Sequence, residues 1–437
     1  MDPALLAGLV LLVGISSLIL LSVPIAVAIG LSCTVAAIAV LGADHAVLVA
    51  SQQIVSGTSS FTLLAIPFFV LAGVLMNNGG IATRLIDAAK VLVGRMPASL
   101  AQTNVVANAM FGSVSGAAVA SAAAVGSTMG PRQKEEGYDP AFSTAVNAAS
   151  APAGMLLPPS NTFIVYSLVS GSSVAALFVA GYGPGLLWAL ACMLVVFLYT
   201  RNRSEFAGSG GVTFRQALLV LFRAVPAMLM ILIVIGGILA GFFTPTESAA
   251  IAVLYCLALG FLYRNLTISA LPGILLQATR TTAIVMLLVG VSSAMSWVMS
   301  YTGIPDAIST GLLGITESPT AILILMMITL LVVGTFMDPT PAILIFTPIF
   351  LPIVEEFGID PVHFGTMIVF NLCLGTITPP VGNVLFIAAR VGEQRIEPVI
   401  RRLAPFFAAL AAVLLVVVLV PELSLWLPTQ LNLLTSD

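Results

Sequence analysis

Ten apolar stretches, each close to the length of a membrane-crossing helix, constrain this chain more than any other feature of its sequence. A crossing helix needs about 20 residues, and the chain has 437 residues, of which 59% are hydrophobic and 8% charged. A soluble domain carries about 25% charged residues, so most of this surface has to face lipid. The sequence therefore predicts an all-α polytopic membrane protein. The stretches are 4–22, 24–41, 61–78, 140–168, 174–200, 224–241, 246–263, 281–300, 361–389 and 403–420.

Two further apolar stretches, 98–130 and 319–351, are too short for two crossings and a turn. Each has a polar or Gly-containing patch at its centre, at 112–116 in the first and 334–338 in the second. Irregular backbone at membrane depth is tolerated only where protein or a cavity surrounds it. We therefore predict that each stretch is a re-entrant helical hairpin.

The distribution of charge supports this count of crossings. With ten crossings and two hairpins, all 15 Lys and Arg residues fall on one face. The charged residues on the opposite face are all acidic. Because basic residues concentrate in cytoplasmic loops, the basic face is predicted to be cytoplasmic. Both chain termini then lie on the outer face.

The two halves of the chain share a Gly and Pro skeleton at a fixed offset of 221 residues. Each half holds five predicted crossings, an odd number, so the second half must be inverted relative to the first. Many secondary transporters are built from such inverted repeats. We predict a first repeat at 1–203, a cytoplasmic linker at 204–223 and a second repeat at 224–437. The matching motifs include Pro24 and Pro245, Asp139-Pro140 and Asp360-Pro361, Gly154 and Gly375, and Pro158-Pro159 and Pro379-Pro380.

The paired prolines break the spans 140–168 and 361–389, because proline lacks an N–H and clashes with the preceding turn. The freed carbonyls need partners away from water, and unwound carbonyls hold coupling ions in known transporters. We hypothesise two pseudo-symmetric sodium sites, each formed by one hairpin tip and one broken helix. A proline kink satisfied by neighbouring Ser and Thr residues stays open as the alternative. The residues assigned to the sites are Ser113, Ser115, Gly154, Pro158, Ser160 and Asn161 in the first half, and Gly334, Thr335, Asp338, Gly375, Thr376, Thr378, Gly382 and Asn383 in the second.

Several polar residues have two interpretations. Asp338 lies within a predicted hairpin, where an ionisable group is costly and usually functional, but Asp338-Pro339 also fits a helix N-cap followed by Pro. Thr244-Pro245-Thr246-Glu247 has the capping-box pattern, which favours a structural helix start. Asn104 and Asn108 are candidates for the transport pathway or for contacts between helices.

Nothing in the sequence indicates an enzyme. We find no Walker A motif and no cluster of His, Cys, Asp and Glu with the spacing of transition-metal ligands. The four cysteines are isolated inside apolar stretches. We expect no catalytic residues, no transition metal and no nucleic-acid partner. A passive channel is disfavoured, because no charged ring or filter is visible.

Four motifs resemble the large membrane subunit of TRAP transporters (tripartite ATP-independent periplasmic transporters, DctM type). They are Thr244-Pro245-Thr246-Glu247-Ser248-Ala249-Ala250, Met337-Asp338-Pro339-Thr340-Pro341, Leu157-Pro158-Pro159-Ser160 and Ile377-Thr378-Pro379-Pro380-Val381-Gly382. The resemblance covers essentially the whole chain. It implies an elevator-type fold, similar to the ion transporter superfamily, in the inner membrane of a bacterium or archaeon, with both termini periplasmic.

The resemblance also implies ligands and partners. Import from the periplasm would be driven by a sodium gradient, with two or more sodium ions bound. A soluble periplasmic substrate-binding protein and a small four-helix membrane subunit, as a separate chain, would be its partners. The substrate would be a small organic acid such as a C4-dicarboxylate, a keto acid, a sugar acid or sialic acid. A stand-alone sodium/dicarboxylate-type carrier that needs no receptor remains the alternative.

Overall fold

A computed structural model describes residues 3–21, 23–201, 214–313 and 318–434, and the secondary structure of these residues is entirely helical. The prediction of an all-α, multi-span protein is therefore confirmed. The first half contains α1 (Pro3–Leu20), α2 (Ile25–Leu41), α3 (Ala43–Thr58), α4 (Ala65–Asn78), α5 (Ile81–Val93), α6 (Ser99–Ser115), α7 (Ala118–Glu135), α8 (Pro140–Ser150), α9 (Ala153–Leu156), α10 (Asn161–Ser170) and α11 (Val174–Thr200). The second half contains α12 (Phe214–Leu239), α13 (Pro245–Leu262), α14 (Leu271–Thr302), α15 (Ile304–Leu313), α16 (Pro319–Gly334), α17 (Pro339–Glu356), α18 (Pro361–Gly375), α19 (Asn383–Val391), α20 (Ile396–Leu419) and α21 (Glu422–Gln430).

Within the described residues, 7 helices are long and apolar enough to cross a membrane. All but one coincide with predicted crossings; the exception, Pro339–Glu356, is the second arm of the second hairpin. The predicted crossings 4–22 and 24–41 form apolar helices that are slightly shorter, and 140–168 and 361–389 are broken. The count of ten crossings stays a prediction.

Helix ends extend past several predicted boundaries, because a search for apolar residues stops where charged turns begin. Residues 204–213 of the predicted linker lie outside the described part of the chain, and the rest of the linker forms the start of α12. The second arms of both hairpins continue through charged turns to Glu135 and Glu356.

Two of the helices that the apolar search missed are mixed in polarity. α3 carries Asp44, Gln52 and Gln53. α5 buries Leu85, Ile86 and Ala89 against α6 and α12 while carrying charges on its other side.

Both predicted hairpins are present as pairs of helices with short connections. α6 and α7 are joined at Gly116 and Ala117, where Gly116 adopts a left-handed conformation with φ of 63°. α16 and α17 are joined through residues 335–338. Whether each pair enters and leaves on one side of a membrane stays a prediction.

Both predicted helix breaks are confirmed. The first separates α9 from α10 at residues 157–160, and the second separates α18 from α19 at residues 376–382. The proline pairs lie in these gaps, and both Pro-Pro peptide bonds are cis.

The two broken spans form the centre of the molecule. In α8 every side chain from Ala141 to Ser150 is buried, and in α18 every side chain from Val362 to Gly375 is buried. Helices that are enclosed on all sides belong to a protein core. α9 packs against hairpin helix α6, and α18 packs against hairpin helix α16, so each hairpin lies against its own broken span.

Long-range contacts join loops that the charge pattern assigns to the same face. At the predicted basic face, the Arg402–Asp139 ion pair (2.8 Å) and the Arg84 guanidinium over the Tyr263 ring (3.4 Å) link the halves. At the opposite face, hydrogen bonds run from Tyr166 Oη to the Pro361 carbonyl (2.6 Å) and from Thr246 Oγ1 to the Phe61 carbonyl (3.1 Å). These contacts agree with the two predicted faces, and the cytoplasmic assignment stays a prediction.

Candidate functional site

The first hairpin tip touches its broken helix through glycine backbone. A Cβ atom on Gly112 would lie 2.7 Å from the Cα of Gly154, so neither position has room for a side chain. On the other side of the tip, a Cβ atom on Gly116 would lie 2.7 Å from Nδ2 of Asn161. The tip residues 113–115 are therefore held between the two ends of the first break.

Hydroxyl groups line the first break. Ser160 Oγ donates to the Met155 carbonyl oxygen, Thr162 Oγ1 donates to the same carbonyl at 3.0 Å, and the two hydroxyl oxygens lie 2.7 Å apart. Both side chains are buried. The kink alternative accounts for the Met155 carbonyl, since side-chain hydroxyls satisfy it without an ion. Ser113 Oγ at the tip donates to the Met110 carbonyl at 2.9 Å.

The second tip repeats the glycine contact and adds polar ones. A Cβ atom on Gly375 would lie 2.7 Å from the Cα of Gly334. The Gly382 N–H donates to the Thr335 carbonyl at 3.0 Å, and Asn383 Nδ2 donates to Asp338 Oδ2 at 3.0 Å. The structure thus brings together predicted residues from the second hairpin and the second break.

In the second break, backbone carbonyl oxygens lie close to Gly382. Gly382 has φ of 48°, and a Cβ atom there would lie 2.8 Å from the Thr378 carbonyl oxygen and 3.1 Å from that of Thr376. The hydroxyls of Thr335, Thr376 and Thr378 each donate to a carbonyl of their own helix at 2.7 Å. Because each hydrogen is used in this way, the oxygen lone pairs can accept from water or coordinate a cation.

Asp338 caps a helix. Its Oδ1 accepts from the Thr340 N–H at 3.4 Å, with Pro339 at the first position of α17, so the capping interpretation is confirmed. The capping box at the start of α13 is also confirmed, because Thr244 and Glu247 bond reciprocally to each other's backbone N–H. Whether Asp338 also serves an ion stays a prediction.

The two breaks differ in their surroundings. In the first, Pro158 and Pro159 are buried and Ser160 is 0% exposed. In the second, Pro379 and Pro380 are exposed and Val381 is 40% exposed. The two breaks therefore match in sequence but differ in how deeply they are buried.

Both tips and both breaks meet at one cavity of about 690 Å³. This central cavity has the size of small-molecule sites. Asp338 is the only ionisable residue among its described lining residues, and of the other predicted residues Asn161 and Thr376 also line it. The remaining predicted residues do not line this cavity. The hairpin and break side is formed by Gly116–Val119, Met155, Asn161, Thr162, Val165, Asp338–Pro341, Thr376 and Val384, and the opposite side by Pro24–Val27, Ile66, Val70, Thr281, Ile284, Val285, Leu287 and Leu288.

The sequence analysis did not assign Thr162, or the residues on the opposite side of the cavity, to the site. Thr162 is 1% exposed and lines the cavity, and its place directly after Ser160 and Asn161 was the available signal. The wall formed by α2, α4 and α14 is apolar apart from Thr281. Apolar lining residues cannot be distinguished from lipid-facing ones in a single sequence.

Comparison with known proteins agrees with this architecture. The family model described as "Tripartite ATP-independent periplasmic transporter, DctM component" matches residues 12–423. An uncharacterized protein YgiK of Salmonella typhimurium is 52% identical over 98% of this chain and 99% of its own length. The isethionate TRAP transporter permease protein DctMQ of Oleidesulfovibrio alaskensis is 37% identical over 93% of this chain and 64% of its own length.

A solved structure shows the same fold. The crystal structure of the Alcanivorax borkumensis YdaH transporter aligns with a TM-score of 0.64 over 90% of both chains at 14% identity. At that identity the likeness concerns the fold alone. The family match spans nearly the whole chain and confirms both the resemblance seen in the four motifs and the expectation of a transporter rather than an enzyme. The chain belongs to the DctM family of TRAP transporter large permease subunits.

Proposed function

We propose that this chain is the membrane pathway of a sodium-driven importer of small organic acids. The observation that carries the proposal is the central cavity, where both hairpin tips and both helix breaks meet. Such convergence of discontinuous helices is where transporters bind substrate and coupling ions. The amide-lined cavity beside α7, and the three cavities lined by Gln53, by Ser60 and by Gly80, are not lined by all four elements.

The sodium sites are proposed at the two tips. Each tip places hydroxyl oxygens and unwound carbonyls beside its break, and glycine contacts hold tip and break together. The oxygens are neutral apart from the Asp338 carboxylate, which suits a monovalent hard cation. Two such sites would give a stoichiometry of two or more sodium ions per transport cycle.

The substrate is proposed to be an organic anion. The described lining residues of the central cavity include no Lys or Arg, so backbone amides are the available partners for a carboxylate. Helix α7 begins in the lining, and its N-cap, Ala117, makes no side-chain cap bond. Free N–H groups at a helix start favour an anion. The relative named for isethionate, a small organic sulfonate, supports this class.

The proposed mechanism is an elevator. The hairpins and broken spans, which form inverted repeats, would move as a unit against α2, α4 and α14. The cavity reaches Pro24, in the turn before α2, and Thr281, which is exposed beside Arg280. If basic residues mark the cytoplasm, the cavity opens inward, and both termini are periplasmic in a bacterial or archaeal inner membrane.

The proposed partners are a separate small four-helix membrane subunit and a soluble periplasmic substrate-binding protein. The tripartite description of the family supports both partners. The relative named DctMQ is longer, since this chain covers 64% of it, which is consistent with a small subunit that is fused to the permease in that relative.

Sodium-dependent unfolding tests the ion sites. The purified protein is heated across a range of sodium concentrations at constant ionic strength, against potassium and choline. Ligand binding predicts about 2.7 kcal/mol of stabilisation when sodium reaches 100 times its dissociation constant. Ser113→Ala and Thr335→Val should each reduce this sodium-specific shift.

Matched controls lie on the same hairpins away from the tips. Ser127→Ala in α7 and Thr329→Val in α16 remove hydroxyls that bond only to a carbonyl of their own helix, and both should keep the full shift. A midpoint indifferent to sodium would leave the family assignment standing and exclude the sodium sites. Uptake that needs no periplasmic receptor would favour the stand-alone carrier.

A further inference from the structure

A second, smaller cavity lies beside the first hairpin, away from the central one. It has a volume of about 300 Å³ and is enclosed by α7, α8 and the end of α19. Gly126 and Gly130 line it on the α7 side, and Lys134 and Glu393 lie at its rim. We call it the amide cavity, because Asn104, Gln133 and Asn147 are among its lining residues.

Three residues that line the amide cavity each carry a buried polar atom without a protein partner. These atoms are Asn104 Nδ2, Gln133 Oε1 and Ser143 Oγ. These side chains are 1%, 0% and 6% exposed. An unpaired buried polar group costs about 1–3 kcal/mol, and a polar cavity with room for several waters, each of about 30 Å³, is filled by them. Its amide lining, its volume and the exposed Lys134 and Glu393 at its rim therefore favour a hydrated cavity.

A chain of neutral polar groups leads from this cavity towards the first tip. Asn108 Nδ2, which has two hydrogens to donate, lies 2.8 Å from Asn104 Oδ1, 3.0 Å from Asn147 Oδ1 and 2.8 Å from Ser150 Oγ. Asn108 precedes Gly112 by one helical turn. Ser150 likewise lies just ahead of Gly154, which touches Gly112. Buried amides and hydroxyls thus extend from the cavity to about one helical turn from the Gly112–Gly154 contact beside the first proposed ion site.

We propose that the amide cavity is the vestibule through which a monovalent cation passes between the first tip and the face that carries Lys134 and Glu393. The inference rests on the proposed function, since it assumes a cation at that tip. Neutral oxygens along the route replace the water around a cation without binding it tightly. One charge of each sign at the rim leaves the entrance without a net barrier.

Thiol labelling tests the hydration. With Cys33, Cys192, Cys256 and Cys373, all buried, replaced by Ala, Ser143→Cys is exposed to a trimethylammonium methanethiosulfonate in inside-out and right-side-out membrane vesicles. The control is Ser248→Cys in α13, where the serine is 0% exposed with an unpartnered hydroxyl but lines none of the described cavities. Ser143→Cys should react roughly tenfold faster than the control, since reactivity follows access, and only from the Lys134 face. Equal rates would overturn the vestibule.

A bulky side chain in the amide cavity tests whether the cation passes through it. A Cβ atom on Gly130 or on Gly236 of α12 meets nothing within 4 Å, so Gly130→Leu fills the vestibule and Gly236→Leu is the matched control. Trp188, whose Nε1 donates to the Ala149 carbonyl at 2.8 Å, reports on the first broken span once Trp297 and Trp426 are changed to Phe. After rapid mixing with sodium, Gly130→Leu should slow the fluorescence change roughly tenfold, as a constriction does, and Gly236→Leu should leave it unchanged.

The outcomes separate this inference from the proposed function. If sodium shifts the unfolding midpoint and Gly130→Leu responds as fast as the unchanged chain, sodium binding stands and the vestibule is overturned. If sodium changes neither the midpoint nor the fluorescence, the proposed function fails and the inference fails with it. Fast labelling of Ser143→Cys together with slowed binding in Gly130→Leu supports the vestibule.

Discussion

At the scale of single residues, the glycine contacts between tips and breaks predict a large and local stability effect. In Gly154→Ala the new Cβ atom would lie 2.7 Å from the Ser113 backbone N, and backbone cannot move aside as a flexible side chain can. We expect a loss of about 1–3 kcal/mol in the free energy of unfolding. The measurement is denaturation of the purified variants. Gly130→Ala adds the same methyl group to open space, and an equal loss in both would contradict the contact.

Asp338 allows a second residue-scale prediction, because its capping role and its charge can be separated. Asn caps a helix about as well as Asp, whereas Ala loses about 1 kcal/mol. Asp338→Asn should therefore keep the stability of the sodium-free protein and lose part of the sodium-specific shift in unfolding midpoint. Asp338→Ala should lower the stability of the sodium-free protein and also lose part of the sodium-specific shift. A full sodium response in Asp338→Asn would restrict Asp338 to capping.

Residue identities predicted where the helix breaks and hairpin tips of the candidate site lie, and the limits of that prediction have physical causes. The proline pairs and central patches located both breaks and both tips, because Pro and Gly act on the backbone directly. Asn108 was recognised as either pathway or packing, but its link to Asn147 and Ser150 depends on how α6 and α8 pack. The packing of α6 against α8 cannot be derived from a single sequence.

At the scale of elements, four helix starts in this protein reuse one device, an acidic or hydroxyl cap followed by Pro. Asp139, Asp360 and Asp338 accept from backbone N–H groups at the starts of α8, α18 and α17. Thr244 does the same for α13. Thr244→Ala should lower the free energy of unfolding by about 1 kcal/mol with the sodium shift unchanged. Thr310→Ala, inside α15, should change stability by less than about 0.5 kcal/mol; an equal loss there would contradict a capping effect.

Two of the elements that the sequence did not predict share a composition. α3 and α5 mix charged and apolar residues, so a search for uninterrupted apolar stretches passes over them. α5 is stable because one side packs against α6 and α12. Tertiary packing of this kind determines most helix stability in proteins, and it cannot be recognised before neighbouring elements are placed.

At the scale of the whole molecule, the predicted faces can be measured directly. In the same cysteine-free background, the exposed positions Glu355 and Arg395 are changed one at a time to Cys and treated with a membrane-impermeant thiol reagent. Glu355→Cys should react in intact cells, and Arg395→Cys only in inside-out vesicles, because basic loops are cytoplasmic. Reaction of both positions from one side would mean that the number of crossings between them is wrong.

The unequal burial of the two breaks has a consequence for how solvent reaches a protein assembled from two similar halves. Val381 is 40% exposed, whereas Ser160, beside the first proline pair, is 0% exposed. Exchange of backbone amide hydrogens with deuterium follows local opening and exposure. The second break should take up deuterium early and the first one late. A sequence pattern present twice in the chain would then give two breaks whose backbone amide hydrogens exchange at different rates.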